Sequence, residues 1–411
     1  MNRIVISGLL SFLLGVAASA QDSTIVFGHM QRDSTENTWH ATLCGNDAGV
    51  WFCVWSMRSQ RGAAVRGAFL SRGQREDIRL IDVSFPGTSE EDTRPAAAFL
   101  TDSTVLVAWQ RNSGGKNVIK GCVLDRDGRA GPVFDISDDS APGMMPAAGR
   151  NAAHEAVVVW QDYRNGDVDI YAQHYDVEAR TLGSNVRIND DGMRAMQGQP
   201  RVAADNEKSF LLLWPDNRVD GAWKFYYQLF GGPAARNVLI DSAQRKAMTT
   251  IISGAWIAED SVLFAWKDYR EGHSNIYRRT AEISHDALSS AERINDDTGE
   301  RWQRLASVDG NGHGNAVICW EDYRNTENNQ RGDVYLQVFA RDGARSGGNV
   351  KVNDRDDRIA RKMPAIVMAA DGWYLIVWHQ GEEGAFNIVG QWLQYPDQRE
   401  GGNFCLTCGT E

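Results

Sequence analysis

Four copies of one polar motif, W-x-D-x-R, place a carboxylate and a guanidinium two residues apart, directly after a tryptophan. The pairs are Asp162 with Arg164, Asp216 with Arg218, Asp268 with Arg270, and Asp322 with Arg324. Such groups form bidentate, charge-assisted hydrogen bonds, and a turn Asp also accepts backbone N–H groups. A side chain that is repeated in most copies of a unit usually serves the unit itself. We therefore interpret these residues as structural, with each Arg bridging to an acidic loop of its own or a neighbouring unit.

A second polar motif, I-N-D-D, recurs at residues 188–191 and 294–297, with variants at 352–354 and 136–139. Oxygen-rich loops suit calcium, and the aspartates that could form such a site are Asp167, Asp169, Asp190 and Asp191. No loop has the D-x-D-x-D-G spacing, and the eight histidines show no zinc spacing. We expect no metal and no cofactor, with calcium as a weak alternative.

Four copies depart from the W-x-D-x-R pattern or lengthen it, at residues 56–61, 110–115, 325–331 and 379–383. These copies would be consecutive in a closed ring, so one sector of the molecule is irregular. We predict a ligand-binding face there, formed by Arg58, Arg61, Arg111, Glu321, His379, Glu382 and Glu383. Drift of the terminal copies is an equally good explanation of the irregularity.

A carbohydrate-active enzyme is the alternative function for this sector. A glycoside hydrolase requires two carboxylates at a set separation, and Glu321, Glu382 and Glu383 are the candidates. A sialidase-like site requires an arginine cluster for a substrate carboxylate, and Arg58 with Arg61 and Arg111 could form one. No carboxylate pair stands out among 54 acidic residues, and the S-x-D-x-G-x-x-W pattern is absent. We therefore expect no catalytic residues.

The elements that must position these side chains follow from an internal repeat. A hydrophobic run ending in tryptophan recurs at intervals of 51–58 residues, at Trp55, Trp109, Trp160, Trp214, Trp266, Trp320 and Trp378. The fourth copy divides into four strand-length runs, at residues 201–204, 209–214, 223–228 and 237–240. The first run of several copies begins at a proline, which is tolerated at the start of a strand.

Seven small sheets cannot bury both of their faces alone, but radial stacking buries them and leaves short edges. The sequence therefore predicts an all-β, seven-bladed β-propeller with four-stranded blades. A linear solenoid is the alternative, and it would require capping units that we do not find. Strand 24–28 is predicted to close the ring by completing the last blade, and residues 404–407 compete for that position. Both polar motifs would then lie on the same face, because antiparallel strands alternate in direction.

The chain ends divide the sequence into three parts. Residues 1–20 have the apolar run and small-residue site of a signal peptide cleaved after Ala20. Residues 21–397 form the propeller, and residues 398–411 form a tail that contains Cys405 and Cys408. We expect a secreted or periplasmic monomer without membrane insertion. The net charge of −11 disfavours nucleic acid and anionic membranes as partners.

The repeat resembles that of secreted and cell-surface propellers of the TolB-like type, with W-x-D-Y-R-N-G…D-I-Y units. Residues 160–171 match this pattern most closely, and residues 266–277 and 320–335 follow it. The resemblance covers copies three to six well and implies a propeller that serves as an interaction module. We therefore expect an exported, non-catalytic binding or scaffold protein for a protein or glycan partner.

Overall fold

The structure is a computed structural model. It describes residues 24–27, 37–46, 48–59, 62–72, 74, 78–138, 142–153, 155–177, 181–192, 195–204, 209–231, 236–245, 251–326, 331–353, 359–382 and 385–395. The described chain forms seven antiparallel sheets of four strands each, with the outer strand split in two in blades 3 and 5. The predicted all-β, seven-bladed β-propeller is confirmed.

Within each blade, the strands follow one another from the innermost to the outermost position. Blade 1 contains β2 (Asn37–Gly45), β3 (Val50–Ser59), β4 (Gly62–Ser71) and β5 (Ile81–Asp82). Blade 2 contains β6 (Glu90–Thr101), β7 (Thr104–Ser113), β8 (Lys116–Asp125) and β9 (Phe134–Asp135). Blade 3 contains β10 (Gly143–Arg150), β11 (Glu155–Asp162), β12 (Asp169–Asp176), β13 (Thr181–Leu182) and β14 (Val186–Arg187). Blade 4 contains β15 (Arg201–Ala204), β16 (Phe210–Asp216), β17 (Trp223–Phe230) and β18 (Val238–Arg245).

The remaining three blades have the same order. Blade 5 contains β19 (Ile252–Ala258), β20 (Ser261–Asp268), β21 (Asn275–Glu282), β22 (Ala287–Leu288) and β23 (Glu292–Arg293), with a 3₁₀ turn at Ile283–His285. Blade 6 contains β24 (Gln303–Gly310), β25 (Ala316–Asp322), β26 (Asp333–Phe339) and β27 (Arg345–Lys351). Blade 7 contains β28 (Ala360–Met368), β29 (Trp373–Glu382), β30 (Ala385–Gln394) and the N-terminal strand β1 (Thr24–Phe27). No helix in the described chain is long and apolar enough to cross a membrane.

The hydrophobic core consists of seven clusters, and each cluster fills the interface between two adjacent blades. The repeated tryptophan of each blade lies in the cluster shared with the preceding blade. Trp109, for example, packs with Phe52 and Val54 of blade 1. All seven of these tryptophans are at most 1% exposed. Replacing a buried tryptophan by alanine typically costs about 3–5 kcal/mol. Because each interface needs one such side chain, a tryptophan recurs in every copy of the repeat.

The ring closes at the interface between blades 7 and 1. Trp55 and Trp51 of blade 1 pack there with Val377 and Trp392 of blade 7. Strand β1 pairs antiparallel with β30, from Thr24 opposite Gln391 to Phe27 opposite Ile388, which confirms that the N-terminal strand completes the last blade. The linear solenoid is therefore excluded. The competing segment 404–407, the signal peptide and the tail lie outside the described residues.

The prolines of the innermost strands differ in position from the prediction. Pro95, Pro146 and Pro364 lie inside β6, β10 and β28, at a register shift against the second strand. Pro200 does precede its strand, β15. A bulge leaves one residue out of the ladder, so the missing N–H of proline costs nothing there.

The closure by β1 gives a direct test. A chain that begins at His29 lacks β1 and exposes the edge of β30, whose backbone groups then have no partner strand. We expect this chain to unfold at a lower temperature and to self-associate, because an unpaired edge strand is a template for pairing. Thermal unfolding and size-exclusion chromatography measure both effects, with a chain that begins at Gln21 as the control. Equal behaviour of the two chains would contradict closure by this strand.

Candidate functional site

The W-x-D-x-R motif forms a buried hydrogen-bond network that is centred on its aspartate. In blade 3, Trp160 Nε1 donates to Asp162 Oδ2 over 2.8 Å, and the backbone N–H of Arg164 donates to Asp162 Oδ1 over 2.9 Å. The Arg164 guanidinium adds bonds of 2.8 and 2.7 Å to the same carboxylate and lies over the Tyr171 ring. Blades 4, 5 and 6 repeat the Trp–Asp–Arg set with Asp216 and Arg218, Asp268 and Arg270, and Asp322 and Arg324.

The arginine of this motif also reaches the preceding blade. Arg164 Nη1 donates to Asp138 over 2.7 Å, and Arg324 Nη1 donates to Asp296 over 2.6 Å. The equivalent bridges in the other two blades run from Arg218 to Asp190 and from Arg270 to Asp241. The predicted bridge between the turn Arg and an acidic loop is therefore present, and it crosses four of the blade interfaces.

The asparagine of the I-N-D-D motif ties its loop to the third strand of the same blade. Asn189 Oδ1 accepts the N–H of Ile170 over 2.9 Å, and Asn189 Nδ2 donates to Asp169 and Asp191. Arg187 also pairs with both of these carboxylates. Asp169 and Asp191 are thus engaged with Arg and Asn donors, and Asp190 pairs with Arg218 and accepts the N–H of Asn237. No cluster of three or more potential metal ligands occurs in the described residues.

Glu321 and His379 occupy the position directly after the repeated tryptophan. In blade 3, Gln161 at this position accepts the N–H of Gln199 in the next blade. Glu321 likewise accepts the N–H of Met363 over 2.6 Å and the Tyr323 hydroxyl over 3.2 Å. Both Glu321 and His379 are 2% exposed, and burial raises the pKa of Glu321. In blades 3 and 6, the side chain at this position therefore accepts a backbone N–H of the next blade, and this hydrogen bond is a latch between the two blades.

His379 makes this latch across the closing interface of the ring. Its Nε2 accepts the N–H of Ala41 over 3.1 Å, and its Nδ1 lies 3.2 Å from the Thr38 carbonyl. Because a carbonyl can only accept, Nδ1 carries the proton and the ring is neutral. Burial lowers the pKa of His379 to about 4.

The other predicted face residues do not form one site. Arg58 pairs with the exposed Glu91 at 2.7 Å, and Arg111 pairs with the buried Asp92 at 2.7 Å. Glu382 is exposed at the end of β29. Arg61 and Glu383 lie outside the described residues. Neither a free arginine cluster nor a facing carboxylate pair is formed by the described members of this set.

The innermost strands enclose a central channel of about 670 Å³ that sequence reasoning did not identify. One residue of each blade lies at its mouth, and six of these seven residues have a left-handed backbone with φ of 46–55°. In blades 1, 2, 3, 6 and 7, this residue lies within the register shift of the inner strand. In ring order the mouth residues are His40, Arg94, Met145, Gln199, Ile251, Leu305 and Met363. The mouth opens on the face that carries the W-x-D-x-R turns. One feature of the sequence could have indicated these mouth residues. In four blades the mouth residue directly precedes the proline of the inner strand, and its side chain differs in chemistry from blade to blade.

Cationic groups without acidic partners lie at this mouth. Arg94 and Arg201 both line the channel, and no described carboxylate pairs with either guanidinium. Arg201 donates to the Pro200 carbonyl over 3.0 Å. Burial and the charge of Arg94 lower the pKa of Arg201 to about 10. Burial, Arg94, His379 and Arg201 together lower the pKa of His40 to about 3.

Asp309 lies at the opposite end of the inner strand of blade 6. It is the one carboxylic acid among the described residues that line the channel. Asp309 accepts the N–H groups of Met368 over 2.7 Å and Gly310 over 2.9 Å, and burial raises its pKa to about 7. The channel has cationic donors at its mouth, and its described lining contains no second carboxylate of the kind that glycosidic cleavage requires.

Comparisons with known proteins agree with the fold. The sequence matches no family model and no curated protein. The structure is similar to the BP39L lectin from Burkholderia pseudomallei, with 10% identity, coverage of 89% of this chain and 96% of that one, and a TM-score of 0.58. A fungal alcohol oxidase in complex with copper gives 11% identity, 88% and 76% coverage, and a TM-score of 0.55. The Hadza microbial sialidase Hz136 gives 11% identity and a TM-score of 0.49, with 70% of this chain and 64% of that chain covered. The likenesses to the lectin and to the oxidase support the fold alone.

The buried hydrogen-bond network of Asp and Arg predicts that removing its carboxylate lowers the stability of the fold strongly. Asp268→Ala leaves the Trp266 indole and the Arg270 guanidinium without their shared partner. We expect the free energy of unfolding to fall by about 3 kcal/mol, as for other broken buried pairs. Asp82→Ala removes the partner of Arg66 in a pair whose Asp is 51% exposed, and it should cost less than about 1 kcal/mol. Denaturant titration compares the two. If Asp268→Ala keeps full stability, the structural role of the motif is wrong.

The His379 latch predicts a dependence on pH. His379→Ala leaves the N–H of Ala41 and the carbonyl of Thr38 unpaired, which costs about 1–3 kcal/mol. His379→Gln supplies the group that Gln161 uses and should recover part of that loss. Because the folded pKa lies near 4 and the unfolded value near 6.5, His379 contributes stability above pH 6.5 that is lost as the pH falls toward 4. Thermal unfolding from pH 4 to 7 should show this extra loss in the wild type relative to His379→Gln. Parallel curves would refute the latch.

Proposed function

We propose that this protein is an exported, non-catalytic β-propeller that binds a protein or glycan partner at the mouth of its central channel. The observation that carries this proposal is a preformed channel with unneutralised donors. The cavity of about 670 Å³ is of the size that ligand sites typically have. Arg94 and Arg201 line it without an acidic partner among the described residues. Elsewhere on the same face, the W-x-D-x-R arginines are occupied by aspartates.

The positions and contacts of the candidate carboxylates favour a binding function over a catalytic one. The carboxylate oxygens of Glu321 accept hydrogen bonds from the Met363 N–H and the Tyr323 hydroxyl inside a blade interface. Glu382 lies exposed at a strand end, and Asp309 has no second carboxylate among the described channel residues. An acid–base pair that could protonate a leaving group and activate water is therefore not assembled from these residues.

Export is the second part of the proposal. It rests on the apolar run and the small-residue site that precede Gln21. Cys44, Cys53, Cys122 and Cys319 are free thiols in the described part of the chain. The partner would then be met outside the cytoplasm, at the cell surface or in the periplasm.

A mouth-blocking variant tests the proposed site. Ile251→Trp places a large side chain at the mouth, and Val133→Trp places one on the outer surface, where Val133 is 47% exposed. On a glycan array and with envelope proteins, we expect Ile251→Trp to weaken the binding seen for the wild type at least about tenfold, or 1.4 kcal/mol. Val133→Trp should leave binding unchanged.

Chromogenic glycosides assayed with the same preparations test the absence of catalysis. We expect no turnover. Turnover that disappears in Glu321→Gln or Glu382→Gln would replace the binding proposal by the carbohydrate-active alternative. Equal binding by Ile251→Trp and the wild type would move the site away from the channel.

A further inference from the structure

We infer that the channel mouth is an anion site for a carboxylate attached to an apolar group, such as the C-terminal residue of a peptide with an apolar side chain. This inference rests on the proposed function, because it names the ligand chemistry of the same site. Its two components are a cationic arc and an apolar arc, which are contributed by different blades of one ring.

The cationic arc is formed by blades 2 and 4. Arg94 stands at the mouth position of blade 2, and Arg201 follows the mouth residue of blade 4 by two positions. The two guanidiniums are close enough for the charge of Arg94 to lower the pKa of Arg201. In a protein of net charge −11, these two cations line one channel, and no described carboxylate pairs with either of them.

Two neutral polar groups beside the arginines are also unsatisfied. His40 Nδ1 and Gln199 Oε1 are buried and have no hydrogen-bond partner. Buried polar atoms almost always have partners. A carboxylate could accept a hydrogen bond from the neutral His40 ring, whereas Gln199 Oε1 can only accept and needs a donor, such as ordered water or the amide N–H beside the carboxylate of a peptide. Both orphan groups lie at the mouth positions of blades that carry or flank the arginines.

The arrangement is costly for the folded protein alone. Desolvation of two like charges disfavours both of them, and the pKa of Arg94 is also lowered by burial. A bound carboxylate would accept charge-assisted hydrogen bonds from both guanidiniums, each of which is stronger than a bond between neutral groups. Sites that lower stability in this way are typically retained for function.

The apolar arc lies on the other side of the ring. Blades 5, 6 and 7 contribute Ile251, Leu305 and Met363 in succession, and Met145 lies between the polar residues. A sugar acid carries a hydroxyl on nearly every carbon, and those hydroxyls would lose water against these side chains without gaining partners. A carboxylate with an aliphatic neighbour matches both arcs.

Calorimetric titration of the full-length mature chain with small probes tests the inference. The probes are N-acetyl-leucine, N-acetyl-leucinamide, glucuronate and inorganic phosphate, all at one ionic strength. We expect N-acetyl-leucine to bind, the neutral amide to bind at least tenfold more weakly, and glucuronate and phosphate to bind more weakly than N-acetyl-leucine. Equal binding of acid and amide overturns the anion site. Tighter binding of glucuronate or phosphate overturns the requirement for an apolar neighbour.

Two arginine variants separate this role from a structural one. Arg94→Gln and Arg201→Gln should each weaken N-acetyl-leucine at least tenfold, and Arg126→Gln, on an exposed turn, should leave it unchanged. Because each variant removes a repelling charge, both should unfold at the wild-type temperature or above it. Weaker binding together with a lowered unfolding temperature would indicate a structural arginine and overturn the inference.

The inference and the proposed function can fail separately. If no probe binds while Ile251→Trp still weakens partner binding, the carboxylate assignment is wrong and the channel remains the binding site. If partner binding is also unaffected by Ile251→Trp, both are wrong.

Discussion

The constraint on which this molecule depends is that each four-stranded sheet must bury both of its faces against a neighbour. One repeated tryptophan, at most 1% exposed, lies in each interface. In all seven clusters this tryptophan packs against the preceding blade. Since every blade needs two neighbours, the chain is driven to close. Strand β1 completes blade 7 and Trp55 packs against Val377, so the closing interface is built like the others.

Hydrogen bonds between adjacent blades supplement this hydrophobic packing. The tryptophan faces the preceding blade, and the next side chain faces the following one because strand side chains alternate. Gln161, Glu321 and His379 use that position to hold the backbone at the entrance of the next inner strand. The W-x-D-x-R arginines tie the outer loops in the opposite direction. The channel mouth is thus fixed by the same contacts that hold the blades, which would give the proposed ligand site a rigid frame.

The sequence was sufficient for the fold because its signal is periodic. The spacing of the tryptophans and the lone strand at 24–27 predicted seven blades and their closure. The site was predicted poorly for two physical reasons. Glu321 and His379 are predicted to lie on the face because their copies lengthen or depart from the W-x-D-x-R pattern, although alternation sends both side chains into the interface. Arg94 and Arg201 are far apart in sequence and line the same channel only once the blades have packed into a ring, so no local pattern links them.

The central claim is that a closed seven-bladed ring holds two unpaired guanidiniums at its mouth for a carboxylate ligand. Crystals of the protein soaked in a bromine-labelled aliphatic carboxylate test this most directly, because anomalous scattering locates the bromine independently of the refined chain. The account predicts seven blades, with the carboxylate between Arg94 and Arg201 and the bromine toward Leu305 and Met363. A ring that is open, or in which both guanidiniums pair with protein carboxylates and the channel holds no bromine, would contradict it.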